Sequence, residues 1–199
     1  YTQAYYGLSE GWLLLLDADE LMWLRDVPIP DMLGALPDDT MSVRVQSAEQ
    51  VQLPDGSDGF RTPLPRKSVN RVYGEDAGLL RIRHGLVYHP EGKSFHRAGQ
   101  RGVNVKLHWA ETPAGTHTPG PVIGAAEGAF LIHYAAPSYE RWRAKVDWRA
   151  GAHGFSRPVK ERVEAIAASA DPEAGYRDLY ARLHHLTDAQ ATALEAEGG

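Results

Sequence analysis

Apolar and polar positions along the chain predict a mixed succession of strands and helices. A short amphipathic segment, residues 2–9, leads through Gly11 into WLLLLDADE (12–20), where five apolar residues are followed by three carboxylates within four positions. A strand with one face in water alternates, so this unbroken run predicts a strand buried on both faces. PIPDMLGALPDD (28–39) predicts a helical turn or two between proline and aspartate punctuation. MSVRVQS (41–47) alternates as a half-buried strand does, and 50–65, with LPDGSDG inside it, has the turn chemistry of a surface loop. Between Leu79 and Lys106 the pieces LLRIR, GLVYH, KSFHRA and GVNVKL, separated by Gly, Pro and Glu, predict hairpins or a meander. TPAGTHTPGP (112–121) is a further loop, and GAFLIHY (128–134) a second apolar strand. Beyond Ser138 the pattern turns helical, in SYERWRAKVDWRAGA, PVKERVEAIAASA, GYRDLYARLHHL and TDAQATALEAE. The expected organisation is an α/β body over 1–150 followed by a helical tail over 151–199, without internal repeats.

Composition narrows the class. At 43% hydrophobic and 24% charged, the 199 residues suit a globular chain able to bury a core. A net charge of −5 argues against a nucleic-acid binder, whose footprint would be basic. No apolar run approaches the roughly 18 residues of a membrane span. With no cysteine there is neither a disulfide nor a thiolate metal site, which fits a cytoplasmic protein. The start, YTQAYYG, has neither an initiator Met nor a signal-like pattern, and it reads as a piece of something longer.

Charge is unevenly spread. Residues 17–39 hold seven acids (Asp17, Asp19, Glu20, Asp26, Asp31, Asp38, Asp39) against Arg25 alone. Residues 79–110 hold six bases (Arg81, Arg83, Lys93, Arg97, Arg101, Lys106) against Glu91. An acidic corner beside a basic region suits a ligand carrying both a metal ion and phosphates, although a charge-patterned surface is the plainer alternative. In an extended segment Asp17 and Asp19 fall on one side with the small Ala18 opposite, where two hard oxygen ligands suit Mg²⁺ or Mn²⁺. The alternative is that Asp17, Asp19 and Glu20 cap the turn that follows. His133 ends the FLIHY strand and is either a further metal ligand or a strand-end histidine bonded to backbone. His108 is open between the same readings. His184 and His185, neighbours on a predicted helix, do not share a face and read as structural or exposed. Ser138 is placed as a helix N-cap with Glu140 in the first turn. A Gly-rich phosphate loop, a GXSXG elbow and an HEXXH motif are all missing from the sequence.

Three motifs in order, WLLLLDADEL, GKSFHRAG with His108 soon after, and LIHYAAPSYERWRAK, resemble the bacterial family 2 type glycosyltransferases over residues 11–145. The resemblance implies a GT-A-like mixed sheet with a DXD motif at the end of a central strand. Sixteen residues precede Asp17, so the nucleotide-binding half would be incomplete and the chain the C-terminal portion of such a domain. It implies Asp17 and Asp19 as the DXD pair, Asp19 the more direct metal ligand, and His133 in the place of a third. Lys93 and Arg97 join Asp17 and Asp19 as donor-binding candidates. The implied reaction moves a sugar from a nucleotide-diphosphate donor to the hydroxyl of a glycan or other acceptor, with inversion, in the presence of Mn²⁺ or Mg²⁺. No spacing selects the catalytic base; Glu20, Glu111 and Glu127 are the candidates. The alternative is a non-catalytic GT-A-derived sugar-binding or interaction module, and behind it a metal-dependent phosphate-ester hydrolase.

Overall fold

The computed structural model describes residues 1–149 and 154–199, and the expected boundary at residue 150 lies outside them. The protein is mixed α/β. In chain order its elements are α1 (Thr2–Tyr6), β1 (Trp12–Leu14), β2 (Glu20–Leu24), α2 (Ile29–Gly34), β3 (Ser42–Val45), β4 (Ser47–Gln52) and β5 (Asp58–Arg61). There follow α3 (Arg66–Tyr73), α4 (Ala77–Leu80), β6 (Lys93–Arg97), β7 (Asn104–Val105), β8 (Ala110–Glu111), β9 (Val122–Ile123) and β10 (Ala129–His133). Four helices complete the chain: α5 (Tyr139–Arg149), α6 (Arg157–Ala167), α7 (Pro172–His184) and α8 (Asp188–Ala196). No helix among the described residues is long and apolar enough to cross a membrane. Two compact units form, each from two stretches of chain: Tyr1–Ser47 with Glu91–Ile132, and Ala48–Pro90 with His133–Gly199.

In the first unit the strand order is β1-β6-β3-β9, with β6 antiparallel to both β1 and β3, and β3 parallel to β9. The WLLLL segment therefore lies at a sheet edge, not centrally as the family resemblance implies, and in place of the expected burial on both faces Trp12 to Leu15 are half-buried and Leu16 is exposed. Its unbroken apolar run still has a physical reason, because both faces are packed. Trp12 and Leu14 lie against the cluster of Val43, Val45, Phe95 and Leu131, while Leu13 and Leu15 lie against Tyr5, Val103, Val105 and Ala110. Gly92 sets the approach of β6 to β3. It has φ +66°, and a Cβ there would stand 1.9 Å from the Val45 carbonyl oxygen, so only glycine fits. The Tyr5 hydroxyl donates to the Arg97 carbonyl at 2.6 Å, tying α1 to β6.

The second unit is largely helical. Val69 of α3, Leu80 of α4, Trp142 of α5, Val159 of α6, Leu179 and Leu183 of α7 and Leu194 of α8 share one core. Beside it β4 and β5 pair antiparallel, with Glu49 opposite Arg61. That pair is buried: Arg61 Nη2 lies 2.5 Å from Glu49 Oε1 and also donates to the Leu183 carbonyl at 2.7 Å. The Glu49 carboxylate further accepts the backbone N–H groups of Val87 and Tyr88 at 2.9–3.2 Å. Burial raises the Glu49 pKa, yet Arg61 and the Val87 N–H together hold it below the usual carboxylate range.

These contacts explain where the structure departs from the expected meander. KSFHR is a strand, but LLRIR contributes to α4 and a 3-10 turn (Arg81–Arg83), and GLVYH does not form a strand. The amides of Val87 and Tyr88 are satisfied by a side-chain carboxylate instead of a strand ladder, so strand-like composition there never becomes a strand. The basic region also divides, with Arg81 and Arg83 in the second unit and Lys93 to Lys106 in the first.

Arg61→Met leaves a buried carboxylate without its cation, and unfolding in urea should show a loss of about 3–5 kcal/mol. The double variant Glu49→Leu, Arg61→Met should not regain wild-type stability, because the amides of Val87 and Tyr88 lose their acceptor. Full recovery would contradict the role given to Glu49.

Two buried histidines make a second prediction. Burial holds His96 at about 4, and burial, against the pull of Glu49, holds His184 at about 3; both lie below the ordinary 6.5. With the folded pKa below the unfolded one, each contributes fully above about pH 6.5 and loses its contribution as the pH falls, toward about 4 for His96 and about 3 for His184. The loss is on the order of 2–3 kcal/mol for each by about pH 4.5. Urea unfolding across that range measures the slope, and His96→Gln should flatten it by one histidine's share.

Candidate functional site

The three acids after β1 form a tight turn, not an extended segment. Glu20 N–H donates to the Asp17 carbonyl at 3.1 Å, and Asp17 N–H donates to Glu20 Oε2 at 2.8 Å. This reciprocal pair closes Asp17-Ala18-Asp19-Glu20 and starts β2 at Glu20. The expectation that period-two geometry aligns Asp17 with Asp19 is thus replaced by turn geometry. Asp17 and Ala18 are exposed and Asp19 is half-buried.

Beneath the turn lies Lys93, the first residue of β6, whose side chain has 0% exposure. Its Nζ is 2.9 Å from Asp17 Oδ2 and 3.3 Å from Glu20 Oε2. Taking an ammonium out of water costs several kcal/mol, and it persists only where anions and hydrogen bonds replace the lost hydration. The two partners differ: the Asp17 side chain is 48% exposed, that of Glu20 only 5%. Glu20 and Lys93 therefore anchor the turn from below, while Asp17 keeps one side in water.

His108 adjoins the anchor. Its Nδ1 lies 2.8 Å from the Gly92 carbonyl, which can only accept, so the neutral ring carries its proton on Nδ1 and its lone pair on Nε2. Ser94 Oγ donates to the His108 carbonyl at 3.0 Å. Burial pushes the His108 pKa down; the Gly92 bond, Glu20 and Asp17 oppose this, and Lys93 adds to it. A neutral imidazole beside a buried lysine is the result.

The other residues read from the sequence are placed as follows. Arg97 donates to the carbonyls of Thr40 and Pro37 at 2.8 and 2.9 Å and lies over the Trp12 ring at 4.5 Å, bracing β1 and the segment before β3. Glu127 accepts Gly124 N–H at 2.8 Å and caps its own 3-10 turn (Ala125–Glu127). Glu111, on β8, accepts the Trp109 indole N–H at 3.3 Å and lies 3.6 Å from Lys106. Of the three candidate bases only Glu20 belongs to the acid turn. His133 ends β10 as a residue of the second unit, its ring edge-on to Tyr88 at 5.3 Å, whereas Asp17 and Asp19 belong to the first. Among the described residues, no group of three or more His, Asp or Glu side chains is arranged to hold a metal ion. Ser138 does cap α5, its Oγ accepting Arg141 N–H at 3.3 Å.

Sequence reasoning missed Lys93 as the internal cation of the acid turn and Glu49 as an internal acceptor. A signal existed for Glu49, which shares the inward face of an alternating strand with Ser47 and Val51. Lys93 had none beyond the glycine before it. Comparison of the chain with family profiles, curated proteins and solved structures finds no match.

Lys93→Met should lower stability by about 3 kcal/mol at neutral pH, because Glu20 is left buried without a cation. Urea unfolding measures it, and a change under about 0.5 kcal/mol, the size typical of surface substitutions, would show that Lys93 is not what holds the turn.

Proposed function

We propose that this chain is part of a metal-dependent glycosyltransferase of GT-A type, moving a sugar from a nucleotide-diphosphate donor to a hydroxyl acceptor. The observation that supports it is the acid turn, in which Lys93 and Glu20 fix from below a corner carrying Asp17 and Asp19. Such a corner fits the needs of Mg²⁺ or Mn²⁺, which take one or two carboxylates from a protein and fill their remaining positions with substrate phosphates and water. Asp17 and Asp19 would hold the ion, whose positive charge would stabilise the departing diphosphate. Glu20 holds the turn closed through Asp17 N–H and neutralises Lys93, a positioning role. His108, neutral with its lone pair on Nε2, gives the corner a wall without a second cation. The order of the three motifs along the chain adds to this reading, and the absence of cysteine suits a cytoplasmic site of action.

One observation favours the second reading, a GT-A-derived sugar-binding or interaction module. The carboxylates of Glu20, Glu111 and Glu127 are each engaged by neighbours in the fold, so none stands ready as a base.

The melting temperature with Mn²⁺ and UDP or GDP tests the proposal. Binding to the folded state alone stabilises it by about 2.7 kcal/mol at a hundredfold excess over Kd, a rise of several degrees. Wild type should show the rise and Asp19→Ala should lose it. A wild-type protein that ignores both nucleotides with Mn²⁺ present would overturn the reading. A rise without release of UDP or GDP from nucleotide-sugars would favour the binding module.

A further inference from the structure

Strand β2 ends its sheet: β10 pairs with one side of it, and none of the described strands covers the other. An uncovered edge presents a row of backbone donors and acceptors, which strands commonly blunt with Lys, Pro or a bulge. Between Glu20 and Leu24 there is neither lysine nor proline. Alternation along β2 packs Met22 and Leu24 into the core beside Ile29 and Met32, and it leaves Leu21 and Trp23 outward, 54% and 39% exposed. Trp23 stacks on Phe130 of β10 at 6.1 Å, so the outward apolar patch is held in place.

One hydrogen bond tells which peptide groups face the open edge. Arg25 N–H donates at 2.9 Å to the carbonyl of Gly128, the residue before β10. Successive residues of a strand address opposite neighbours, so Leu21 and Trp23 also face β10, while Glu20, Met22 and Leu24 face the edge. There the Glu20 N–H already donates to the Asp17 carbonyl. Opposite charges flank the strand: the half-buried Asp19 precedes it, and Arg25, whose side chain is 56% exposed, follows it.

We propose that two copies of this chain join through β2, edge to edge and antiparallel, about a two-fold axis at Met22. Met22 of one copy then faces Met22 of the other, Leu21 faces Trp23 and Asp19 faces Arg25, the last two pairs occurring twice. Met22 N–H donates to the Met22 carbonyl and Leu24 N–H to the Glu20 carbonyl of the second copy, each reciprocated by symmetry. Leu21 and Trp23 fall at the non-hydrogen-bonded positions, where cross-strand side chains approach most closely. Charge decides the arrangement. Parallel strands in step would set Asp19 on Asp19 and Arg25 on Arg25. An axis at Trp23 would set Leu21 on Arg25 and Asp19 on Val27. Only the axis at Met22 matches apolar with apolar and acid with base. Because β10 holds the other side of each β2, this edge joins two copies and no more. One short strand makes a small contact, so the association is reversible. It needs neither metal nor nucleotide and stands apart from the reading of the acid turn.

Sedimentation equilibrium of the whole chain in EDTA tests the proposal. The mean mass should rise toward twice that of the monomer as the concentration approaches about 1 mM, the weak end of specific affinities. Arg25→Asp sets an aspartate against each Asp19 and should weaken the dimer about tenfold, because two cross-strand pairs change from attraction to repulsion. Asp19→Arg should do the same, whereas an equimolar mixture of the two variants should associate more tightly than either alone. The chain has no cysteine, so cross-linking reads the register directly. A Leu21→Cys chain mixed with a Trp23→Cys chain, with glutathione disulfide as oxidant, should give the mixed disulfide in preference to either self-linked product. Both positions are exposed and carry the test if Asp19→Arg does not fold. A monomer at every concentration would overturn the proposal and leave the edge to a different protein. A dimer indifferent to Arg25→Asp, or one in which Trp23→Cys links chiefly to itself, would overturn it as well.

Discussion

An ammonium group with no exposure to water is tolerated only where carboxylates surround it, and at Lys93 that requirement organises the acid turn of the first unit. Gly92 lets β6 press against β3, the approach carries Lys93 inside, and the buried charge then fixes where Asp17 and Glu20 must lie. The turn between β1 and β2 is consequently not a free loop. Its shape is set by a residue far away in sequence, through charge as much as through its own hydrogen bonds.

The second unit obeys the same constraint with the signs exchanged. There the buried anion, Glu49, gathers Arg61 and two backbone amides, and Arg61 in turn reaches the Leu183 carbonyl near the end of α7. The segment 86–88 takes its course from that carboxylate. Burying charge is seldom the cheapest way to stabilise a core, but it admits few alternative arrangements, because every mispaired register leaves an ion alone.

Much of the fold was legible in the sequence. The strands at 42–45, 93–97 and 129–133 and the helices beyond 138 follow from local periodicity, as does the Ser138 cap. Interactions between distant residues were not legible. WLLLL was read as buried on both faces from its composition, but Trp12 to Leu15 are only half-buried and Leu16 is exposed, because nothing local tells an edge strand from a central one. GLVYH has strand composition and no strand, because its amides answer to Glu49. The acid cluster raised the right question, what positive group it holds, but the one the fold supplies lies in β6. His184 and His185 looked opposed only because the helix was drawn two residues too long.

Both units are stitched from separated stretches of chain, and this bears on how the protein is made. Synthesis proceeds from the N-terminus, so the first unit can close once Ile132 has emerged. The earlier stretch Ala48–Pro90 must wait, because Leu64, Val69 and Leu80 find their core partners in α5 to α8, at the far end of the chain. During that interval a newly made apolar surface stands open to other nascent chains and to chaperones. The later α5 to α8 emerge, the longer that surface stays open.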